Sequence, residues 1–195
     1  MLVAVISDIH ENFHNLMLAL EEIEKLNVNK IICLGDFINN GIAKVLAGSK
    51  IPVFAIWGNN DGDKAAITKT SMSKNSNLEM GFDTYDFLEL DNRKLFLTHY
   101  PLLVKPMAKS GEYDAVFYGH DHKHHLEKIG RCFILNPGEI SAHKTGEASF
   151  AIYDTQDNSA KIIIIKHAIT TRTKQSEDYL TAVNIKFNSS KTHQY

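Results

Sequence analysis

Apolar residues occur along much of this chain in short runs, and several of these runs end directly at a polar residue. Runs of this length predict strands that are buried inside a sheet. They cover residues 2–6, 31–34, 53–57, 95–97 and 115–118. Because a strand delivers the residue that follows it to the edge of the sheet, the polar residues after these runs are candidates for ligand binding.

The segments that follow the first three of these strands predict helices. Apolar residues recur at helical spacing among charged ones over residues 15–26, which predicts an amphipathic helix that joins the first two strands. Residues 42–47 predict a short second helix, and residues 64–72 predict a weaker third one. The order β-α-β-α-β implies that the first three strands pair in parallel.

The second half of the chain is dense in predicted strands. Asp91-Asn92-Arg93 is typical of a hairpin turn between strands at residues 85–90 and 94–98. Further strands are predicted at residues 125–129, 132–135, 149–153 and 161–166. This density predicts a second sheet packed on the first. We therefore expect an α/β fold, a layered α/β/β/α sandwich of two mixed β-sheets flanked by helices, with its ligand loops gathered on one edge.

One domain is expected over residues 1–167, because a chain of 195 residues suits a single core. Residues 168–195 form a C-terminal extension of unknown role, and much of it is polar. Within the extension, residues 183–187 alternate like a strand and are a candidate for docking on a sheet edge.

Charge and cysteine content narrow the classes of partner and compartment. The formal net charge is -2, which provides no broad nucleic-acid-binding surface. No stretch is long enough to span a membrane, and no basic leader precedes Asp8. Cys33 and Cys132 lie inside apolar runs and are expected to be buried packing residues rather than nucleophiles or a disulfide. These features favour a reducing, cytoplasmic setting.

Seven oxygen and imidazole donors at the strand ends form the most informative pattern in the chain. Asp8 and His10 are two positions apart, so an extended segment would point both side chains the same way, and His120 and His122 repeat this spacing. The full set is Asp8, His10, Asp36, Asn59, His99, His120 and His122.

This set of donors suits two divalent metal ions. Asp36 has two carboxylate oxygens and is able to bridge two cations, while Asn59 offers a neutral oxygen that limits the negative charge. A mixed oxygen and imidazole set suits Mn²⁺, which we place first, as well as Ni²⁺, Fe²⁺, Zn²⁺ or Co²⁺, and it suits Mg²⁺ less well. Two such cations acidify a shared water and stabilise in-line displacement at phosphorus, so no side-chain nucleophile is required.

Taken in order, the motifs Asp-x-His, Gly-Asp, Gly-Asn-x-Asp, His and Gly-His-x-His resemble those of the calcineurin-like metallophosphoesterases, and in particular the small bacterial and archaeal YfcE-type phosphodiesterases. The resemblance runs from about Leu2 to Lys166 and includes Asn136-Pro137-Gly138. It implies a phosphodiesterase in which a hydroxide that bridges two metals attacks phosphorus. The implied ligands are Asp8, His10 and His122 for one metal, Asn59, His99 and His120 for the other, and Asp36 for both.

The resemblance also implies catalytic residues, namely Asp36, Asn59, Asn60, Asp61 and His99. Asn60 departs from many superfamily members, in which a histidine follows the asparagine ligand and helps at the leaving group. Because an amide does not exchange a proton near neutral pH, we expect a preference for acidic leaving groups such as those of aryl phosphates. We expect Asp61 to orient an imidazole or Asn60 from behind, as outer carboxylates commonly do.

Other interpretations stay open at this point. Taken singly, Asp8 and Asp36 are also typical of strand-end turns, and His99 of a buried histidine with satisfied hydrogen bonds. Of the histidines outside the set, His143, His167 and His193 are expected on the surface.

The function has alternatives too. One is a phosphomonoesterase or nucleotide phosphatase, and the expected substrate is in either case a small phosphate ester or a nucleotide. Another is a protein-binding scaffold, because the fold also resembles the retromer scaffold subunit. Members of the resembled family often self-associate, so a homo-oligomer agrees with the resemblance, although no interface stands out in the sequence.

Overall fold

The computed structural model describes residues 1–170, so the candidate edge strand at residues 183–187 lies outside the described residues. In chain order the elements are β1 (Leu2–Ile6), α1 (Phe13–Lys25), β2 (Lys30–Cys33), α2 (Asn40–Ala47), β3 (Val53–Ala55), α3 (Lys64–Ser71), β4 (Leu78–Met80), β5 (Tyr85–Leu90), β6 (Arg93–Thr98), a 3-10 turn (Pro101–Leu103), α4 (Val104–Lys109), β7 (Ala115–Tyr118), β8 (His125–Ile129), β9 (Cys132–Asn136), β10 (Ser149–Asp154) and β11 (Ser159–Ile164).

Two mixed sheets form the centre of the fold. The first has the order β11-β10-β1-β2-β3-β4, with β1 to β4 parallel and β10 antiparallel to β1. The second has the order β5-β6-β7-β9-β8, with β6, β7 and β9 parallel. Parallel strands end at the same edge of a sheet, so the loops after β1, β2 and β3 lie together, and so do those after β6 and β7.

Alternating side chains of the central strands fill two different layers. Val3 and Val5 of β1 point into the core between the sheets, whereas Ala4 and Ile6 pack against the layer that contains α1 and α2. On the outer face of the second sheet, Val104 and Ala108 of α4 join a third apolar cluster. Helices therefore cover both outer faces, which confirms the layered α/β/β/α sandwich.

Most predicted elements are confirmed, and the exceptions have local causes. Helix α1 begins two residues earlier than expected because the Asn12 side chain caps it, its Oδ1 accepting the backbone N–H of Asn15 at 3.1 Å. The hairpin turn is confirmed, but it consists of Asp91 and Asn92, both with positive φ, as a tight two-residue turn requires. Arg93 already belongs to β6.

Two short elements, β4 and α4, were not predicted from the sequence. β4 has three residues with Glu79 in its middle, and α4 has six residues and contains a proline. In addition, β11 starts at Ser159 rather than at residue 161, because its pairing with β10 matches Ser159 to Asp154 across a short turn. None of these differences changes the edge at which the candidate ligands lie.

The structure also bears on the expectations about the cysteines and about membrane-spanning segments. Cys33 and Cys132 are buried and unpaired, as predicted for packing residues. Burial raises the pKa of the Cys132 thiol to about 11, so it is protonated at neutral pH. Among residues 1–170, no helix has the length and apolar character needed to cross a bilayer.

Candidate metal centre

All seven predicted donors lie at one shared edge of the two sheets. Asp8 and His10 follow β1, Asp36 follows β2, Asn59 follows β3, His99 follows β6, and His120 and His122 follow β7. Backbone hydrogen bonds fasten these loops to one another: Asp8 N–H donates to Gly35 O at 3.1 Å, and His10 N–H donates to Asp36 O at 3.0 Å. The convergence expected from the sequence is therefore present.

The backbone of five of the seven donors is left-handed rather than extended. Their φ values are 53° at Asp8, 44° at His10, 57° at Asp36, 74° at His120 and 65° at His122. The expectation that Asp8/His10 and His120/His122 share a direction because they are extended is therefore wrong, although both pairs do reach one site. Residues other than glycine adopt this conformation rarely, and such positions cluster at functional sites.

Two glycines allow the loops to approach closely enough. A Cβ at Gly58 would collide with Asp36 Oδ1 and with the Asp36 backbone nitrogen, and a Cβ at Gly119 would collide with Ser7 Oγ. The glycines before Asn59 and His120 are therefore needed because the donor-bearing loops touch at these points.

The first cluster of donors surrounds one oxygen of Asp8. Its Oδ2 accepts hydrogen bonds from Ser7 Oγ at 2.7 Å and from His120 N–H at 2.9 Å. Its Oδ1 lies 3.3 Å from His122 Nε2 and 3.7 Å from His10 Nε2. Asp8 Oδ1 and His10 Nε2 are buried and lack a hydrogen-bond partner within the described part of the chain. Buried polar atoms without partners are rare in proteins, and a cation between them would satisfy both.

The second cluster is built on Asn59. Its Oδ1 lies 2.9 Å from His99 Nε2 and 2.8 Å from His120 Nδ1. Asp36 stands between the two clusters, because its Oδ2 is 3.5 Å from both His10 Nε2 and His99 Nε2. The grouped donor atoms of Asp8, His10 and His122, and those of Asp8, Asp36 and His99, each lie within 4.8 Å of one another. Such spacing is able to hold a metal ion.

Hydrogen bonds behind the rings orient two of the histidines. The Nδ1 atom of His99 contacts Leu34 O at 2.7 Å, and that of His122 contacts Glu139 Oε2 at 2.6 Å. A donor at Nδ1 leaves Nε2 with its lone pair directed into the site, which is the form that binds metals.

Glu139 is the important residue that sequence reasoning missed. It is fully buried, and besides His122 it accepts hydrogen bonds from Ser141 Oγ, from Thr145 Oγ1 and from the backbone N–H groups of His143, Lys144 and Thr145. Burial alone would raise its pKa, but these donors outweigh burial and lower the pKa to about 2. The signal available in the sequence was its position directly after Asn136-Pro137-Gly138.

Asn60 and Asp61 hold the site together through Asp36. The Asn60 backbone N–H donates to Asp36 Oδ1 at 2.8 Å, and its Nδ2 donates to Oδ2 at 2.7 Å. The Asp61 carboxylate accepts the backbone N–H groups of Asp36, Ile38 and Gly58 at 2.6–3.0 Å. It therefore ties the loop after β2 to the loop after β3, and it does not orient an imidazole or the Asn60 side chain as expected.

The protonation of the site is coupled between Asp36 and His99. Burial would raise the pKa of Asp36, but hydrogen bonds from His99 and Asn60 hold it well below its usual range. Burial would likewise lower the pKa of His99, yet the carboxylates of Asp36 and Asp8 raise it overall. Burial and the positive charges of His99 and Lys144 lower the pKa of His120.

His143 is exposed, as expected, but it does not stand apart from the site. Its ring stacks on His10 with a centroid distance of 6.0 Å, and His10 in turn stacks on His122 at 4.9 Å. His143 therefore extends a row of imidazoles that begins with two donors of the first cluster.

The chain is similar to known phosphoesterases over most of its length. Residues 1–158 match the calcineurin-like phosphoesterase superfamily domain. A phosphodiesterase from Methanocaldococcus jannaschii is 30% identical over 85% of this chain and 100% of its own length. A solved structure described as a novel archaeal phosphodiesterase superposes with a TM-score of 0.78 at 30% identity, covering 84% of this chain and 99% of that one.

More distant structures share the fold. The E. coli phosphoesterase YfcE superposes with a TM-score of 0.62 at 23% identity, over 85% of this chain and 100% of that one. A Vps29 mutant from Entamoeba histolytica superposes with a TM-score of 0.60 at 18% identity, over 85% of this chain and 98% of that one. At these identities the likeness concerns architecture alone.

Proposed function

Because this chain belongs to the calcineurin-like phosphoesterase superfamily, a family of metal-dependent phosphoric ester hydrolases, we propose that it is a phosphodiesterase that works with two divalent cations. Family membership makes it a hydrolase. The preference for diesters is supported by the phosphodiesterase that is 30% identical to it over most of both chains.

The observation that carries the proposal is a pair of buried atoms, Asp8 Oδ1 and His10 Nε2, that have no hydrogen-bond partner among residues 1–170. In a protein interior such atoms cost free energy unless something binds them. A carboxylate oxygen beside two imidazole nitrogens suits a divalent cation better than it suits a water molecule. We assign Asp8, His10 and His122 to one cation and Asn59, His99 and His120 to a second. The 3.5 Å distances from Asp36 Oδ2 to His10 and His99 support a bridging position for Asp36.

When bound, two such cations supply an acidified water for in-line attack and neutralise charge on the phosphate. The remaining work falls to the protein. Asn60 holds both oxygens of Asp36 in place, and Asp61 fixes the two loops that carry Asp36 and Asn59. The amide of Asn60 cannot protonate a departing alkoxide, so we propose substrates whose leaving groups are acidic, such as aryl diesters.

Two further points complete the proposal. An oxygen and imidazole donor set is well suited to Mn²⁺, which we propose as the working metal. We also propose a reducing, cytoplasmic setting, which is supported by two buried cysteines that form no disulfide.

The test is a substrate panel assayed after chelation and addition of Mn²⁺, with a bis-aryl phosphate, an aryl phosphate and nucleotides. We expect the bis-aryl phosphate to be turned over fastest, because it is a diester with acidic leaving groups. Faster turnover of the monoester or of nucleotides would make the protein a phosphatase instead. No turnover with any divalent metal would refute the proposed activity.

A pair of matched variants tests whether turnover requires the proposed metal centre. Asp36→Asn removes the proposed bridging charge and should abolish nearly all turnover while the chain stays folded by circular dichroism. Asp157→Asn makes the same chemical change in the exposed turn after β10, at the end of the first sheet that lies away from the site, and should leave turnover unchanged. Equal turnover by the two variants would contradict the bridging role of Asp36, whereas an unaltered chain without turnover would favour a Vps29-like scaffold over an enzyme.

A further inference from the structure

One side of the molecule exposes the edges of both sheets. Within residues 1–170, β4 ends the first sheet and β5 ends the second, and residues 81–84 connect them. An open basin of about 630 Å³ lies here, and its walls include Phe54, Trp57 and Met80. We call the basin and its rim the β4–β5 face. It is separate from the seven candidate ligands, none of which lines the basin.

The rim of this face holds large apolar side chains in solvent. Phe82 is 96% exposed, Met72 is 80% exposed and Phe87 is 53% exposed, and all three line the basin. With roughly 200 Å² for each of these side chains, they offer about 450 Å² of mostly apolar surface. That is more than half of the roughly 800 Å² per partner that a standard interface buries. The remaining lining residues supply further area.

Hydrogen bonds hold the backbone beside the protruding ring in place. Gly81 N–H donates to Ala55 O at 2.7 Å, Phe82 N–H donates to Asp86 Oδ2 at 3.0 Å, and Trp57 N–H donates to Asp83 O at 3.0 Å. The main chain around Phe82 is therefore fastened on both sides, so only the ring itself has to be ordered when it binds a partner.

The same contacts argue against binding by strand addition. The Asp86 carboxylate accepts the backbone N–H groups of both Phe82 and Phe87, which occupies one donor in the connecting segment and one donor of β5 at the edge of the second sheet. A strand that added here would have to displace this side chain. A partner is therefore expected to pack through side chains.

We propose that the β4–β5 face is the interface of a symmetric dimer, in which Phe82 of each copy enters the basin of its partner. A twofold interface uses the same patch on both copies, so the patch must carry both the projecting group and the cavity that receives it. The β4–β5 face meets this requirement. It also carries both signs of charge, with Glu79 and Asp86 in the basin and Lys64 Nζ lying 5.0 Å from the centre of the Trp57 ring.

The test measures the mass of the full chain in solution by analytical ultracentrifugation over a range of concentrations, with Phe82→Asp as the probe. The unaltered chain should have twice the mass of a single chain at about 50 µM, because interfaces of standard size have dissociation constants in the micromolar range or below. Phe82→Asp should weaken association at least tenfold, as expected for an aromatic anchor at the centre of an interface.

Phe13→Asp is the matched control, because Phe13 is 55% exposed and lies at the start of α1, away from the β4–β5 face. It should leave the dissociation constant unchanged. A second variant, Ser73→Cys, keeps Phe82 and carries a spin label beside Met72 on its only exposed thiol, since Cys33 and Cys132 are buried. A dipolar signal between two labels in close proximity would support the face. A chain that stays monomeric, or a dimer that Phe82→Asp does not weaken, would overturn the proposal.

Discussion

Replacing Glu139 by Gln tests how far a carboxylate that touches no proposed cation controls the metal centre. Glu139 Oε2 faces His122 Nδ1 at 2.6 Å, and the other contacts of the carboxylate are also donors. A glutamine keeps one acceptor oxygen, but its NH₂ group must face N–H or O–H donors. The substitution therefore removes a charge and leaves several donors without an acceptor while side-chain volume is nearly unchanged.

Two magnitudes follow from the structure. The pKa of Glu139 falls from an ordinary 4.5 to about 2. With about 1.4 kcal/mol for each pKa unit, the surroundings stabilise the carboxylate by roughly 3 kcal/mol. Loss of a carboxylate behind a metal-binding histidine typically lowers metal affinity by about 10- to 100-fold. We expect Glu139→Gln to lose affinity for one cation by this factor.

The assay is a competition titration of Mn²⁺ against a chromophoric chelator, with urea unfolding of the metal-free protein as a second readout. Because the folded-state pKa of Glu139 is depressed, its stabilising contribution is complete above pH 4.5 and is lost as the pH falls towards 2. The stability gap between the unaltered chain and Glu139→Gln should therefore be about 3 kcal/mol at pH 7 and should shrink below pH 4.5.

Glu147→Gln is the control for this experiment, because Glu147 belongs to the same part of the chain but is half-exposed and pairs with His124 instead. It should leave both metal affinity and stability unchanged. The reasoning is refuted if Glu139→Gln binds Mn²⁺ with unchanged affinity, or if the stability gap persists unchanged at acid pH.

Two other predictions concern proton transfer. Asn60→His supplies an acid beside Asp36, so it should raise turnover of esters with poor leaving groups more than that of aryl esters; an equal change across a series of leaving groups would contradict this. Because the Asp36 and Asp8 carboxylates raise the pKa of His99 above 6.5, a cation must displace a proton there, and the apparent affinity for Mn²⁺ should rise as the pH increases from 6.5. Titrations at several pH values in buffers of different ionisation enthalpy measure both the affinity and the released proton, and an affinity that is independent of pH above 6.5 would contradict it.

The edge on which the donors gather was predictable because the donors lie in the loops that follow buried strands. Asp8, Asp36 and His99 each come one residue after the end of an apolar run, and the chain order of the runs implied parallel neighbours. Binary patterning determines which strands are buried, and parallel pairing then determines where their ends lie.

Contacts that depend on irregular loops were beyond the reach of patterning. Glu139 and His122 are 17 residues apart and meet only because the segment after β9 turns around the carboxylate. Asp61 was expected behind a side chain, whereas it binds the backbone of two loops. The left-handed φ values were also missed, because Asp and His, although enriched in that conformation, adopt it too rarely for the sequence alone to predict it.

The left-handed backbone of five donors limits which residues can replace them during evolution. A left-handed residue with a Cβ costs on the order of 1 kcal/mol relative to glycine, so the five together give up an appreciable part of a typical folding free energy. Glycine at any of them would relieve backbone crowding but remove a donor atom. Descendants freed from metal dependence should therefore drift towards glycine or asparagine at these sites, whereas aspartate and histidine persist only where selection still acts on the bound ion.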